Sequence, residues 1–364
     1  MIFTSKTFTY KAYTYTSSTS GINLDDITIK LDKQRDGTYN ISPNKILVKI
    51  HAAALNPLDV KLYNVSVWPL NYFLGKRGLG EDYSGTIVAI GEKVKKNGKF
   101  KVGDLVQGLA FVFIPNGTFS EYILVDTSNS AEGELTHAPK NISLTDTCAW
   151  PEVYASIHKM TAGVDLQDKK VLVLGGGSSV GRYLIQYLKV KGAKEIYATA
   201  SPRSETVVKE LGAKGTIDYT KGPILNSVLE LVQKTEPFDI ILDCVGSDEL
   251  FPKIKYLFPK LGGHYGTIVG DSVVYKLSLS SVLAVSRSIR RSILSKYNRL
   301  PYTYRLSLGK YDPDWIESGR DLIEEGKVKP FIDSYYKFSE LDKALARLES
   351  GKVSGKVILK VEED

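Results

Sequence analysis

The sequence predicts an α/β protein in which a β-rich domain stands beside a doubly wound parallel sheet. Three observations predict it. The chain has 364 residues, 43% of them hydrophobic, enough for two ordinary cores. The run Val171-Leu172-Val173-Leu174-Gly175-Gly176-Gly177-Ser178-Ser179-Val180-Gly181 reads as a buried strand that turns on glycines into a helix at Arg182-Tyr183-Leu184. From about residue 165 to 270 strands alternate with helix-like stretches, whereas residues 45 to about 127 hold strands and turns.

In the β-rich part the expected strands are Ile46-Leu47-Val48-Lys49-Ile50, then Tyr83 to Gly91, then Phe119 to Val125, punctuated by glycine and asparagine. In the second part the spacing predicts strand 170–174, helix 180–191, strand 194–199, helix 203–211, strand 238–243 and a strand near 264–269. From Lys329 to Val361 the pattern returns to strand, helix, strand, with Leu341, Ala344 and Leu348 as the helix's apolar stripe. So short a segment cannot bury a core alone, so it is expected to pack on the first domain, which runs over 1–150 and 315–364 around a second domain at 151–314.

The glycine turn suits a diphosphate. A helix N-terminus offers unpaired N–H groups and the positive end of its dipole. The second strand follows where a βαβ unit needs it and ends in Ala200-Ser201-Pro202-Arg203, with no acidic residue to take the ribose diol of NAD. A hydroxyl and a guanidinium suit a 2′-phosphate, so the expected cofactor is NADP(H).

Composition narrows the function classes. The net charge of +7 is modest and mixed along the chain, and exposed aromatics do not interleave its basic residues, so nucleic acid is not an expected partner. No apolar run approaches the roughly 18 residues of a spanning helix, and the N-terminus lacks a signal-like apolar region. The two cysteines, Cys148 and Cys244, suggest neither a disulfide framework nor a metal cluster, and an intracellular location fits.

Several ordered motifs carry a resemblance: His51-Ala52-Ala53-Ala54-Leu55-Asn56-Pro57-Leu58-Asp59, Gly80-Glu81-Asp82-Tyr83-Ser84-Gly85, Lys101-Val102-Gly103-Asp104, Gly117-Thr118-Phe119-Ser120-Glu121-Tyr122, the glycine turn, Leu211-Gly212-Ala213, Asp243-Cys244-Val245-Gly246 and Gly351 to Val357. The chain resembles a zinc-independent medium-chain dehydrogenase/reductase of the quinone oxidoreductase type, over about residues 45–361. Ala149-Trp150-Pro151 and the tail are most similar to a fungal, YIM-type branch found on lipid droplets and mitochondria. The resemblance implies a GroES-like catalytic domain and a Rossmann domain that binds NADP(H). The implied cofactor residues are Gly177, Ser178, Ser179, Val180, Gly181, Ser201, Arg203, Tyr219, Val245 and Gly246, and Asn56 and Asp59 stand beside the substrate. It also implies a cytoplasmic setting and pairing of two copies through the sheet edge near residues 264–275. The chain departs from the family pattern at Ser178, where a glycine is usual, and at Lys61, where a tyrosine is common.

No metal is expected. Asn56 stands where related zinc enzymes have a cysteine ligand, Glu81 replaces their histidine, and His51, His137, His158 and His264 show no ligand spacing. Without a metal a simple carbonyl is a poor hydride acceptor, whereas a quinone or an α,β-unsaturated carbonyl delocalises the arriving charge. The expected function is therefore NADPH-dependent reduction of such acceptors, with Asn56, Lys61 or a water hydrogen-bonding the developing oxyanion. For Asn56 and Asp59 a helix cap is the equal alternative. The pocket is expected to draw on Val65 to Lys76 and Asn116 to Phe119.

One local feature points elsewhere. Between Asp271 and Asp312 there is no acidic residue, while Arg287, Arg290, Arg291, Lys296, Arg299 and Arg305 alternate with Val282, Leu283, Val285, Ile289, Ile293, Leu294, Tyr297 and Leu300. Such a helix either packs its apolar face on the domain or lies on an anionic lipid surface through 282–305, with Arg287, Arg290 and Arg291 at phosphates. The second outcome leads to the rival reading: a weak or inactive family member that works as a lipid-surface or stress-linked binding protein.

Overall fold

The computed structural model describes residues 3–66, 75–111, 117–130, 133–259, 262–271, 279–307, 312 and 314–362, the side chains of 279–282 excepted. By internal contacts the chain divides into two units, Met1–Glu152 with Ile316–Gly326 and Pro330–Asp364, and Val153–Trp315 with Lys327–Lys329. Its elements begin with β1 (Thr7–Tyr15), β2 (Asn23–Lys30), β3 (Asp32–Lys33), β4 (Tyr39–Asn40), β5 (Lys45–Leu55), α1 (Pro57–Asn64), β6 (Arg77–Gly78), β7 (Asp82–Ile90), α2 (Glu92–Asn97), β8 (Leu105–Ala110), β9 (Tyr122–Asp126), β10 (Gly133–His137) and α3 (Leu144–Thr147). Then come α4 (Pro151–Thr161), β11 (Lys170–Leu174), α5 (Ser179–Val190), β12 (Glu195–Thr199), α6 (Pro202–Glu210), β13 (Gly215–Ile217), α7 (Ile224–Lys234), β14 (Ile240–Asp243), β15 (His264–Thr267), α8 (Leu279–Lys296) and β16 (Thr303–Leu306). The chain closes with α9 (Trp315–Glu324), β17 (Ile332–Lys337), α10 (Leu341–Glu349) and β18 (Lys356–Lys360).

The first unit is built on β5. Its Ile46, Val48 and Ile50 alternate into a core with Tyr83, Ile87, Val106, Ile123 and Val125, each apolar side chain contributing roughly 1.5–3 kcal/mol by leaving water. Ladders run in the order β10-β8-β7-β5-β18-β17, with β9 also on β5. The C-terminal strand β18 thus lies antiparallel to β5, Val357 opposite Leu55 and Lys360 opposite Ala52. The expected strand at 119–125 starts only at Tyr122, because the Ser120 hydroxyl bonds to the carbonyls of Gly117 and Tyr122 and shapes a turn there.

The second unit has one parallel sheet in the order β13-β12-β11-β14-β15-β16. Chain order reverses between β11 and β14, and in sheets of this kind ligands bind beyond the carboxyl ends of the strands at that point. The two strands that the sequence pattern leaves unread, β13 and β16, are short and only partly buried. The second changes one expectation: residues 264–267 form an inner strand, and β16 is the edge beyond it.

The basic stretch forms α8, and its polarity is inverted. Ala284 and Ser288 are buried, whereas Leu283, Val285, Ile289, Ile293 and Tyr297 are exposed, Tyr297 by 66%. The expectation that the apolar face packs on the domain is therefore corrected. Polar contacts hold the helix: the buried Asp271 accepts from Arg287 Nε at 3.0 Å, from Ser288 Oγ at 2.8 Å and from Arg291, and Arg287 also reaches Asp248. Arg291 lies 3.5 Å above the Phe251 ring. The Asp271 carboxylate, beyond the end of β15, pairs with the half-exposed Arg287 and the largely buried Arg291, so these two are not placed at phosphates as expected, which leaves Arg290 on the outward side.

The glycine turn makes one local test. A Cβ on Gly181 would sit 2.1 Å from the Gly175 carbonyl oxygen, on rigid backbone. Gly181→Ala is expected to lower unfolding stability by roughly 1–3 kcal/mol, read from chemical denaturation, and an unchanged midpoint would contradict this packing.

Candidate active site

In the second unit the expected cofactor residues all follow the carboxyl ends of adjacent parallel strands. Gly177 to Gly181 follow β11, Ser201 and Arg203 follow β12, Tyr219 follows β13, and Val245 and Gly246 follow β14. The turn is fixed by hydrogen bonds from the Gly175 amide to Thr199 Oγ1, 2.8 Å, and from the Gly176 amide to the Thr199 carbonyl, 2.9 Å. Gly175 has φ +85°, and a Cβ there would strike Val245 Cγ1 at 2.3 Å, so β14's loop packs on the turn. A Cβ on Gly177 would strike Ser204 Oγ at 2.5 Å, so the start of α6 does too.

Ser178 departs from the family pattern without strain. Its φ of −71° suits any residue, and its hydroxyl donates to the Gly175 carbonyl at 2.7 Å while accepting from the Gly181 amide at 3.0 Å, capping α5. The amides of Gly177 and Val180 have no acceptor among the described residues. Free amides at the N-terminus of a twelve-residue helix fit a diphosphate. Asp243, buried at the end of β14, holds the next loop by accepting from the amides of Val245, Gly246 and Ser247. The sequence places Asp243 inside a motif but gives no sign of this role. Tyr219 and Val245 are exposed by 53% and 38%.

In the first unit Asn56 lies in a buried polar network. Its Nδ2 donates to Asp82 Oδ2 at 2.9 Å, and its Oδ1 accepts from Lys356 Nζ at 2.5 Å. The ammonium also bonds Asp82 Oδ2 at 2.9 Å, and the Glu152 amide bonds Asp82 Oδ1 at 2.7 Å. Asp59 caps α1, its Oδ2 accepting from the Asn56 amide at 2.7 Å. Sequence reasoning names Asn56 and Asp59 but neither Lys356, which arrives from β18 some 300 residues on, nor the joint role of Asp82 and Glu152. Lys61 is half-buried on α1, and burial lowers its ammonium below the usual range.

Two carboxyls here titrate high. Burial pushes Asp59 up to about 7, against the opposing pull of the Asn56 and Gly80 amides and of Lys356. Glu81 is raised well above its usual value, by burial first and then by Glu152, Asp59 and Asp82. Its Oε2 is buried without a hydrogen-bond partner. Residues 67–74 and Asn116, expected to contribute to a pocket, lie outside the described residues.

A raised carboxyl binds its proton more tightly in the folded chain than in the unfolded one, so its stabilisation is complete below the unfolded value of 3.8 and is lost as pH rises towards about 7. Wild-type stability should therefore fall between about pH 4 and 7 relative to Asp59→Asn, measured by denaturant midpoints. Parallel profiles for the two proteins would contradict the assignment.

Residues 42–134 match the family model described as "Alcohol dehydrogenase GroES-like domain", and residues 211–359 match that described as "Zinc-binding dehydrogenase". Protein YIM1 of Vanderwaltozyma polyspora is 33% identical over 97% of this chain and 99% of its own length. The mitochondrial NAD(P)H oxidoreductase RTN4IP1 of Danio rerio is 29% identical over 88% of this chain and 85% of its own. The quinone oxidoreductase structure from Coxiella burnetii superposes with a TM-score of 0.74 at 23% identity, covering 98% of this chain and all of that one, which shows the shared fold. A relative matched end to end, together with the ordered motifs, places the chain in the quinone oxidoreductase-like medium-chain dehydrogenase/reductases, in their YIM1 branch.

Proposed function

We propose that this oxidoreductase is an NADPH-dependent reductase of quinones or α,β-unsaturated carbonyls. The observation that carries the reading is the set of candidate cofactor groups at the ends of β11 to β14, with Ser201 and Arg203 and no carboxylate among residues 200–204 after β12. The free amides of Gly177 and Val180 and the dipole of α5 would hold the diphosphate, and Ser201 and Arg203 the 2′-phosphate. Tyr219, Val245 and Gly246 complete the cofactor set, Gly246 with its amide committed to Asp243. When bound, the nicotinamide supplies a hydride.

The residues proposed to act on the acceptor are Asn56, Asp59 and Lys61. Asn56 is locked in one orientation by Asp82 and Lys356, so its amide is preorganised as a polar group beside the reacting carbonyl. Asp59 fixes the start of α1, and Lys61, its ammonium made more acidic by burial, donates to the developing oxyanion. The donor set argues for an acceptor that spreads its own charge. Among the described residues no group of three or more His, Cys, Asp or Glu side chains is placed to bind a metal, and Asp82 is already taken by an ammonium.

A second reading, lipid-surface attachment, is favoured by α8. Its outward Ile289, Ile293 and Tyr297 lie beside Arg290, Lys296 and Arg299, none of which has a carboxylate partner among the described residues. With no acidic residue between Asp271 and Asp312, a second copy on this face would set cation against cation, whereas an anionic lipid headgroup is complementary. We place such a reductase at the cytoplasmic surface of lipid droplets or mitochondria. No helix among the described residues is long and apolar enough to cross a membrane, so attachment would be peripheral.

Arg203→Ala should weaken NADPH binding by about tenfold or more while leaving NADH unchanged, as measured by fluorescence titration. Equal loss for both nucleotides would remove Arg203 from the 2′-phosphate site. On vesicles containing anionic lipid, Ile289→Glu with Ile293→Glu should abolish flotation, since these side chains are exposed by 44% and 52%. Flotation of that variant at wild-type level would rule out α8 as the contact.

A further inference from the structure

Among the first unit's buried carboxyls Glu81 stands out, its Oε2 buried without a hydrogen-bond partner. It stands immediately before β7, 3% exposed, with its neighbour Asp82 consumed by Asn56, Lys356 and the Glu152 amide. The groups that act on it come from each neighbouring element: Asp59 from α1, Asp82 from β7, Glu152 from α4 and Lys356 from β18. That is one ammonium for four carboxyls, and the ammonium's hydrogen bonds go to Asn56 and Asp82. A buried carboxylate with neither counter-ion nor donor is among the most costly groups a protein can hold, and it is relieved by keeping its proton. Asp59 differs, since amides of Asn56 and Gly80 solvate its charge. Glu81, in contrast, has a buried Oε2 with no hydrogen-bond partner among the described residues.

We propose that Glu81 is a proton donor for the reduction, a role that rests on the reading of the chain as a reductase. As hydride adds to the conjugated carbon of the acceptor, its electron pair forms the new C–H bond and the acceptor's π electrons shift through the conjugated system onto the carbonyl oxygen. The Glu81 O–H bond breaks, the new O–H bond forms on that oxygen, and Glu81 is left as a carboxylate that regains a proton from water. Per turnover one hydride and one proton are consumed. A neutral acid in the cluster whose Asp82 and Lys356 also lock the Asn56 amide would stabilise the developing oxyanion without adding a buried charge beforehand.

The test uses the full-length protein with NADPH and a quinone or an enone. Glu81→Gln keeps shape and a neutral donor but has no proton to give. It should lower kcat by about 10²-fold with KM and NADPH affinity unchanged, and it should erase the alkaline fall in kcat that marks loss of the Glu81 proton. Unchanged kcat and pH profile in a variant whose wild-type parent turns over would overturn the donor role and leave the reductase reading standing. If the wild type consumes no NADPH with any conjugated acceptor, both fall. Infrared spectroscopy of the unmodified protein gives a second readout independent of turnover. A protonated carboxyl band persisting at neutral pH, and missing from Glu81→Gln, supports the proposal, and its absence in the wild type overturns it.

Discussion

One buried ammonium organises the first unit. Lys356, 3% exposed, bonds to Asn56 and Asp82 and so joins the first residue after β5, the start of β7 and the start of β18. Burying a cation is tolerable only when its partners are already positioned, and here backbone pairing positions them: β18 lies on β5, and β5 on β7. The chain's last strand is therefore both a structural closure and the source of the charge on which the acid cluster depends. Because that charge is a single one, the carboxyls around it cannot all ionise. Asp82 takes the ammonium, Asp59 accepts the Asn56 amide, and Glu81, buried with no hydrogen-bond partner at Oε2, has its carboxyl raised well above the usual range.

The second unit depends on close approach rather than charge. Gly175, Gly176, Gly177 and Gly181 each stand where a side chain would strike a neighbour, so strand, turn and helix come together only through bare backbone. Ser178 fits the same turn by another route, replacing a usual glycine with a hydroxyl that caps α5. A departure from the family pattern thus strengthens the turn locally, and it leaves the amides of Gly177 and Val180 open.

The fold class was legible because it rests on local patterns. Branched apolar runs at 171–174 and 240–242 mark strands covered on both faces, and the glycines of the turn mark the passage into a helix. Strands without such runs were not legible: β1 and β2, whose apolar residues are scattered among threonines and aspartates, and β13 and β16 at the two edges of the parallel sheet. The candidate cofactor residues could be read one by one because each follows a strand end. The acid cluster could not, since Asn56, Glu81, Glu152 and Lys356 meet only through tertiary pairing over some 300 residues. The basic stretch misled for a related reason: periodicity reveals two faces on α8, but only the tertiary pairing with Asp271 shows that Arg287 and Arg291 are held by a carboxylate while Ile289 and Ile293 face outward.

In the proposed reductase, backbone amides of the second unit would hold the cofactor, and the first unit supplies carboxyls around one cation. The proposed reaction is transfer of a hydride and a proton to a conjugated carbonyl. The most direct measurement is the rate of NADPH oxidation by the purified protein with a quinone, an enone and a saturated ketone. The account predicts turnover with at least one conjugated acceptor, little with the ketone, and weaker use of NADH. No NADPH oxidation with any conjugated acceptor, or equal rates with the ketone, would contradict it.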